Sequence, residues 1–157
     1  MSAEHKLDEL GLSLPPPPKP AGAYVPAVRT GNLIFIAGQL PMERGELKFK
    51  GKLGAELDVE EGYEAARLCA LNVLSILRDR CGSLDSVSRI VRACGYVRSA
   101  EGFTDQSLVV NGASELFNEV FGDSGRHARL ALGANELPLG SPVELEVIAE
   151  FDDASDT

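Results

Sequence analysis

The sequence predicts an α+β fold, a sheet with two helices packed on one side, in the order β-β-β-α-β-α-β-β. Three observations predict it. Two segments carry apolar residues at helical spacing: Ala66, Ala70, Val73, Leu74 and Leu77 in one, and Val109, Ala113, Leu116, Phe117 and Val120 in the other. Leu33 to Ile36 form a short unbroken apolar run, as a strand buried on both faces would. The stretch from Gly125 to Phe151 reads as two strands joined by a Pro/Gly connection, because its apolar and polar residues alternate with period two. At 157 residues the chain suits one domain with a substantial core.

In chain order, Ser2 to Leu10 reads as a short helix capped by Ser2 and stopped at Gly11. Prolines at 15 to 18 and at 20 then enforce an extended polyproline lead-in laid across the domain surface. From Tyr24 the segment YVPAVRT is strand-like, and Gly31-Asn32 is a two-residue hairpin signal leading into the second strand. Gly38 ends that strand, where the backbone needs positive φ or close approach to another group. A third short strand is expected around Leu47 to Phe49. Asp58 can cap a helix that runs to about Arg80, with Gly82 just past its end. Val87, Ile90, Val91, Tyr96 and Val97 then make a strand of poor alternation, interspersed with Arg89, Arg92 and Arg98. A second helix is expected over Asp105 to Phe121, with Asn111 off its apolar stripe.

In the final hairpin Ala128, Leu130 and Leu132 alternate with Arg129, Ala131 and Gly133. Val143, Leu145, Val147 and Ala149 alternate with Glu144, Glu146, Ile148 and Glu150. The aliphatic sets are expected to face the core, leaving Arg129 on the other face with Glu144 and Glu146. Residues 1–21 form the helix and proline-rich lead-in, 22–152 the domain, and 153–157 a disordered tail.

Composition removes several function classes. The net charge of −9 offers no broad basic footprint for nucleic acid. Cys69, Cys81 and Cys94 contain no CxxC pair and His5 and His127 are far apart, so no metal set is written in the sequence; reduced thiols are expected. No apolar run approaches a membrane span, and MSAEHKLDEL is too charged for a secretory leader, which makes a cytoplasmic location the expectation. Phosphate-binding loops GxGxxG and GxxxxGK[ST] and the nucleophile elbow GxSxG do not occur.

The candidate chemistry is Arg129 with Glu144. A guanidinium is always charged and pairs bidentately with a carboxylate. From spacing alone, the same two residues also fit an exposed cross-strand ion pair worth under about 1 kcal/mol. Glu146 fits either an orienting partner for Arg129 or an interface contact. Tyr24 fits a ligand wall or a plain strand-end tyrosine, and Asn111 a cleft or solvated helix surface; His127 fits a general base, but standing without a second histidine or a lysine placed by motif it reads as an ordinary strand-start histidine.

Tyr24 ahead of the first strand, IFIAGQLP at 34 to 41, EEGYEAARLCALNVLSIL at 60 to 77 and HARLALGANELPLGSPVELEVIAEF at 127 to 151 together resemble the RidA/YjgF family, also described as endoribonuclease L-PSP. The resemblance covers nearly the whole chain beyond the prolines. It implies a chorismate-mutase-like fold with a mixed sheet, a homotrimer with sites in the clefts between subunits, and hydrolysis of reactive 2-imino or enamino acids to 2-keto acids and ammonia without metal or cofactor. On the matching positions, Arg129 would hold the substrate carboxylate and Glu144 would position or activate water. Tyr24 and Asn111 would line the cleft, and Gly38 would supply backbone near the ligand. Ala37, where the family often has Ser, and Ala131, where it often has Cys, alter the pocket floor. They motivate an alternative, a carboxylate-binding or chaperone-like trimer without turnover. A third reading, an endoribonuclease, is disfavoured by acidic charge and the lack of a histidine pair.

Overall fold

Why the two long helices stop and start where they do is visible at their ends. Asp58 accepts from the Glu61 backbone N–H at 2.8 Å while the Glu61 carboxylate accepts from the Asp58 N–H at 3.2 Å, a reciprocal cap that opens α2 (Val59–Cys81). Gly82, at φ 84°, closes it. α3 (Gln106–Phe121) starts after Asp105 without a side-chain cap. In the computed structural model, which describes residues 2–152, the tail expected at 153–157 lies outside the described residues.

A five-stranded sheet carries both helices on one face. It contains β1 (Ala27–Thr30), β2 (Leu33–Gln39), β5 (Val87–Arg98), β6 (Ala128–Ala134) and β7 (Val143–Phe151) in the order β1-β2-β7-β5-β6. All neighbours are antiparallel except β5 and β6, so the sheet is mixed. β1 and β2 are joined through Gly31-Asn32, with Gly31 at φ 58° as a primed hairpin turn requires. Both apolar helix stripes are buried, against each other and against Ile34, Ile36, Leu145, Val147 and Ala149. The helices approach so closely that a Cβ on Gly112 would lie 2.0 Å from the Tyr63 carbonyl oxygen.

Several expectations are corrected. The expected third strand is the two-residue β4 (Glu46–Leu47), which pairs only with β3 (Met42–Glu43) and stands outside the main sheet. Tyr24 lies in a bend three residues before β1. The poor alternation of β5 has a physical cause: its register against β7 slips between Val87 and Arg89 and again between Ile90 and Arg92, and each bulge inverts the pattern. Leu130 and Leu132 do not enter the core. They are 44% and 45% exposed, on the face away from the helices.

The N-terminal segment is integral to the core. α1 (Ala3–Glu9), capped by Ser2, buries Leu7 to 1% exposure. Its Glu4 carboxylate accepts from Arg78 at 3.1 and 2.5 Å and from the Leu84 N–H at 2.9 Å. The proline segment then crosses α2, where the Ser75 hydroxyl donates to the Pro15 carbonyl. Among the described residues, no helix is long and apolar enough to cross a membrane.

Candidate functional site

β6 is an edge strand whose one paired neighbour is β5. Arg129 stands opposite Ala93, which is fully buried on the helix side, so its side chain rises toward α3 rather than to the open face. There the guanidinium is seated. Nη1 donates to Asn111 Oδ1 at 2.7 Å and to Ser114 Oγ at 3.2 Å. Nη2 donates to Ser107 Oγ at 2.6 Å and to the Ser107 carbonyl at 3.4 Å. Ser107, Asn111 and Ser114 are spaced i, i+4, i+7, a polar strip on α3 beside its apolar stripe. Burial lowers the Arg129 pKa from its ordinary value, an arginine already partly stripped of water.

A second tier holds the first. His127 Nδ1 is 2.6 Å from the Gly125 carbonyl, which can only accept, so Nδ1 carries the proton and Nε2 is an acceptor. The Ser114 hydroxyl, 2.9 Å from Nε2, donates to it and turns its lone pairs toward Arg129. The Phe117 ring packs edge-on against the imidazole at 5.8 Å. Burial, and then Arg129, lower the His127 pKa, although the Gly125 carbonyl opposes the shift.

Glu144 lies elsewhere. It pairs with Tyr96 on the open face of the sheet, the face of Glu146, Leu130 and Leu132. The expectation that Arg129 and Glu144 share a face is therefore wrong within one chain. They stand on opposite faces, because Arg129 aligns with Ala93 and Val147, one pleat out of phase with Glu144. Glu146 likewise faces away from Arg129. Glu144 lies against β2 where the register slips between Ile36 and Gln39, and a Cβ on Gly38 would be 2.2 Å from Glu144 Oε1. Gly38 thus serves close approach, not positive φ. Burial first, and then Glu146, push the Glu144 carboxyl pKa up.

Tyr24, half exposed, and Gly38 line a small cavity of about 90 Å³ with Pro18, Pro20, Pro26 and Leu139. Of the residues singled out from sequence, Arg129 and Asn111 come together on the helix side, whereas Glu144, Gly38 and Tyr24 gather near the end of β2. Ala131 is on the Arg129 face, opposite Gly95, and Ala37 donates its N–H to Pro26 at 2.9 Å. The arginines of β5 are surface groups: Arg89 and Arg92 are exposed, and Arg98 pairs with Glu136 at 2.8 Å. The three thiols form no disulfide. Ser107, Ser114 and His127 were not expected to take part; the i, i+4, i+7 spacing of Ser107, Asn111 and Ser114 was the signal that could have found the two serines, and no spacing points to His127.

The model of one protein family, described as "YjgF/chorismate_mutase-like, putative endoribonuclease", matches residues 4–151. The chain is 44% identical to Protein TCP17 of Trypanosoma cruzi over 146 residues, covering 92% of this chain and 91% of that protein. It is similar to the crystal structure of a "putative endoribonuclease" from Shewanella oneidensis, with a TM-score of 0.93, 34% identity, and coverage of 96% of this chain and 100% of the other. A protein of unknown function from Agrobacterium tumefaciens, Atu1372, superposes with a TM-score of 0.89 at 42% identity, over 96% of this chain and 92% of that one.

Proposed function

The chain belongs to the YjgF/chorismate-mutase-like family, and from that premise we propose that it hydrolyses small 2-imino or enamino acids to 2-keto acids and ammonia, in clefts between the subunits of a homotrimer. The observation that carries the reading is the seated guanidinium of Arg129, fixed by Asn111, Ser114 and Ser107 at the outer edge of the sheet. An arginine held this way has already lost the rotamer freedom that carboxylate binding would otherwise cost. Ser107, at the exposed end of the strip, is the partner a ligand carboxylate would displace.

The separation of Arg129 from Glu144 gives the oligomer its role. Each chain carries two halves of a site on opposite faces, and a cyclic, head-to-tail interface brings one half of a copy against the other half of the next. The open sheet face supports such an interface, since it exposes Val28, Phe35, Leu130 and Leu132. In the assembled cleft Arg129 of one copy holds the substrate carboxylate, so the C=N carbon faces the half-buried Glu144 of the next. Glu144 accepts a proton from water as the oxygen adds to that carbon and returns it to the nitrogen; the new hydroxyl then gives up its proton by the same carboxylate to the nitrogen, the keto C=O forms, and the C–N bond breaks to release ammonia. A carboxyl pKa raised by burial makes Glu144 a stronger base than an ordinary glutamate.

Keto-acid release from dehydratase-generated imines tests the activity, with Arg129→Ala and Glu144→Ala each abolishing it. Refolding the two variants together in equal amounts tests the shared cleft. About one quarter of all sites in the randomly assembled trimers regain both groups if the halves come from different copies, whereas no recovery means that both groups serve from one chain. A protein that binds small carboxylates through Arg129 without turning over imines would instead be the non-catalytic binding trimer that Ala37 and Ala131 motivate.

A further inference from the structure

The polar chain behind Arg129 is more elaborate than holding an arginine requires. Two acceptors, Asn111 Oδ1 at 2.7 Å and Ser107 Oγ at 2.6 Å, would suffice to orient a planar guanidinium. The third, Ser114, is 9% exposed and is itself oriented by His127, whose Nδ1 is committed to the Gly125 carbonyl at 2.6 Å. A serine hydroxyl has one hydrogen and two acceptor sites. Spending the hydrogen on His127 Nε2 leaves only acceptor sites for Arg129.

We propose that His127 and Ser114 are positioning residues for Arg129: neutral imidazole locks the guanidinium in its carboxylate-binding seat, and protonation of the imidazole unseats it. The inference rests on Arg129 being the carboxylate clamp. Once protonated, Nε2 becomes a donor, Ser114 Oγ must accept from both sides, and a second cation stands behind the guanidinium in a site with little water. Arg129 then moves outward.

Among the described residues of the chain itself, no carboxylate stands by the imidazole to neutralise the new charge. The charged group acting on the ring is Arg129. On α3, Glu115 is engaged by the Tyr63 hydroxyl and Glu119 by Arg67 at 3.4 Å, both toward α2. On the preceding turn, Asp123 and Arg126 project into solvent, 101% and 81% exposed, and face one another at 3.8 Å. Gly125 and Phe117 complete the surroundings with a carbonyl and a ring edge.

The test is titration calorimetry of pyruvate, ionised throughout, against the full chain and its variants from about pH 8 down to about pH 5. Wild-type affinity is expected to fall roughly tenfold over that range, as His127 gains its proton. At pH 8, Ser114→Ala and His127→Ala are expected to weaken pyruvate about tenfold, the loss of roughly one oriented hydrogen bond. His127→Gln, whose amide oxygen can still accept from Ser114, is expected to bind within about threefold of wild type at pH 8 and to lose the acid decline. That variant keeps Glu144, so any pH dependence arising there would survive in it. If Arg129→Ala binds pyruvate like wild type, the clamp itself is wrong. If Arg129→Ala loses binding while His127→Ala and Ser114→Ala bind normally, or His127→Gln keeps the full acid decline, the clamp stands and the positioning role is overturned.

Discussion

Replacing Gly38 with alanine separates folding from chemistry at the Glu144 half of the proposed cleft. The added methyl carbon would sit 2.2 Å from Glu144 Oε1, 3.0 Å from its Cδ and 3.1 Å from its Cγ. Ordinary van der Waals contact begins at 3.4 Å, so the carboxylate oxygen must retreat by about 1.2 Å. The three nearest atoms all belong to one flexible, half-buried side chain, and Gly38 has no positive φ that alanine would strain. The carboxylate therefore swings away, costing about 1 kcal/mol or less of stability. Turnover suffers far more, because a misplacement of about 1 Å in a catalytic group costs about a hundredfold in rate. Urea denaturation and keto-acid release, measured on the same preparation, read the two effects. Gly38→Ala with turnover within about threefold of wild type would refute the reasoning, as would a loss of activity that merely follows a loss of fold.

Gly112→Ala should act in the opposite sense, destabilising by about 3 kcal/mol or more, because its Cβ would lie 2.0 Å from the Tyr63 carbonyl oxygen and only a shift of helix against helix relieves it; the urea midpoint measures this. Glu4→Ala should cost about 1–3 kcal/mol, as Arg78 and the Leu84 N–H lose their acceptor. The hydrogen bond from Arg78 is the main cause that lowers the Glu4 pKa below 4.5, so its contribution is present above that value and lost as pH falls through the lowered one; Glu4→Ala should flatten that part of the acid denaturation curve. Glu146→Gln removes the lesser of the two causes that raise the Glu144 pKa, and the acid limb of kcat/KM should move to lower pH, burial keeping the shift modest.

Much of the fold was legible because local chemistry agreed with it. Asp58, Gly82 and the stripe from Ala66 to Leu77 each point to the same helix, and Gly31-Asn32 encodes the first hairpin without long-range information. The β6 face was misjudged for a definite reason. Period-two alternation says that Leu130 and Arg129 face opposite ways, but not which way is inward. An edge strand lying under the polar strip of α3 puts its arginine inward and its leucines out. That inversion also parted Arg129 from Glu144, so the arrangement of the candidate residues is not legible in the sequence. The two bulges of β5 are similarly invisible, since a bulge is fixed by the partner strand and not by the strand's own residues.

The docking of α1 on the far end of α2 sets an order of events in folding. Glu4 finds its partners at Arg78 and Leu84, 74 and 80 residues further along the chain, and Leu7 enters a core that those elements must first enclose. α1, made before its partners, thus has nothing to close upon until α2 and the turn after it are in place, and closing so long a loop is slow. Seven residues cannot hold a helix alone for that interval. The segment is coil until it becomes the lid on a finished core, and it should be the first part to open: amide hydrogens of α1 exchanging well ahead of those in α2 would record folding in reverse.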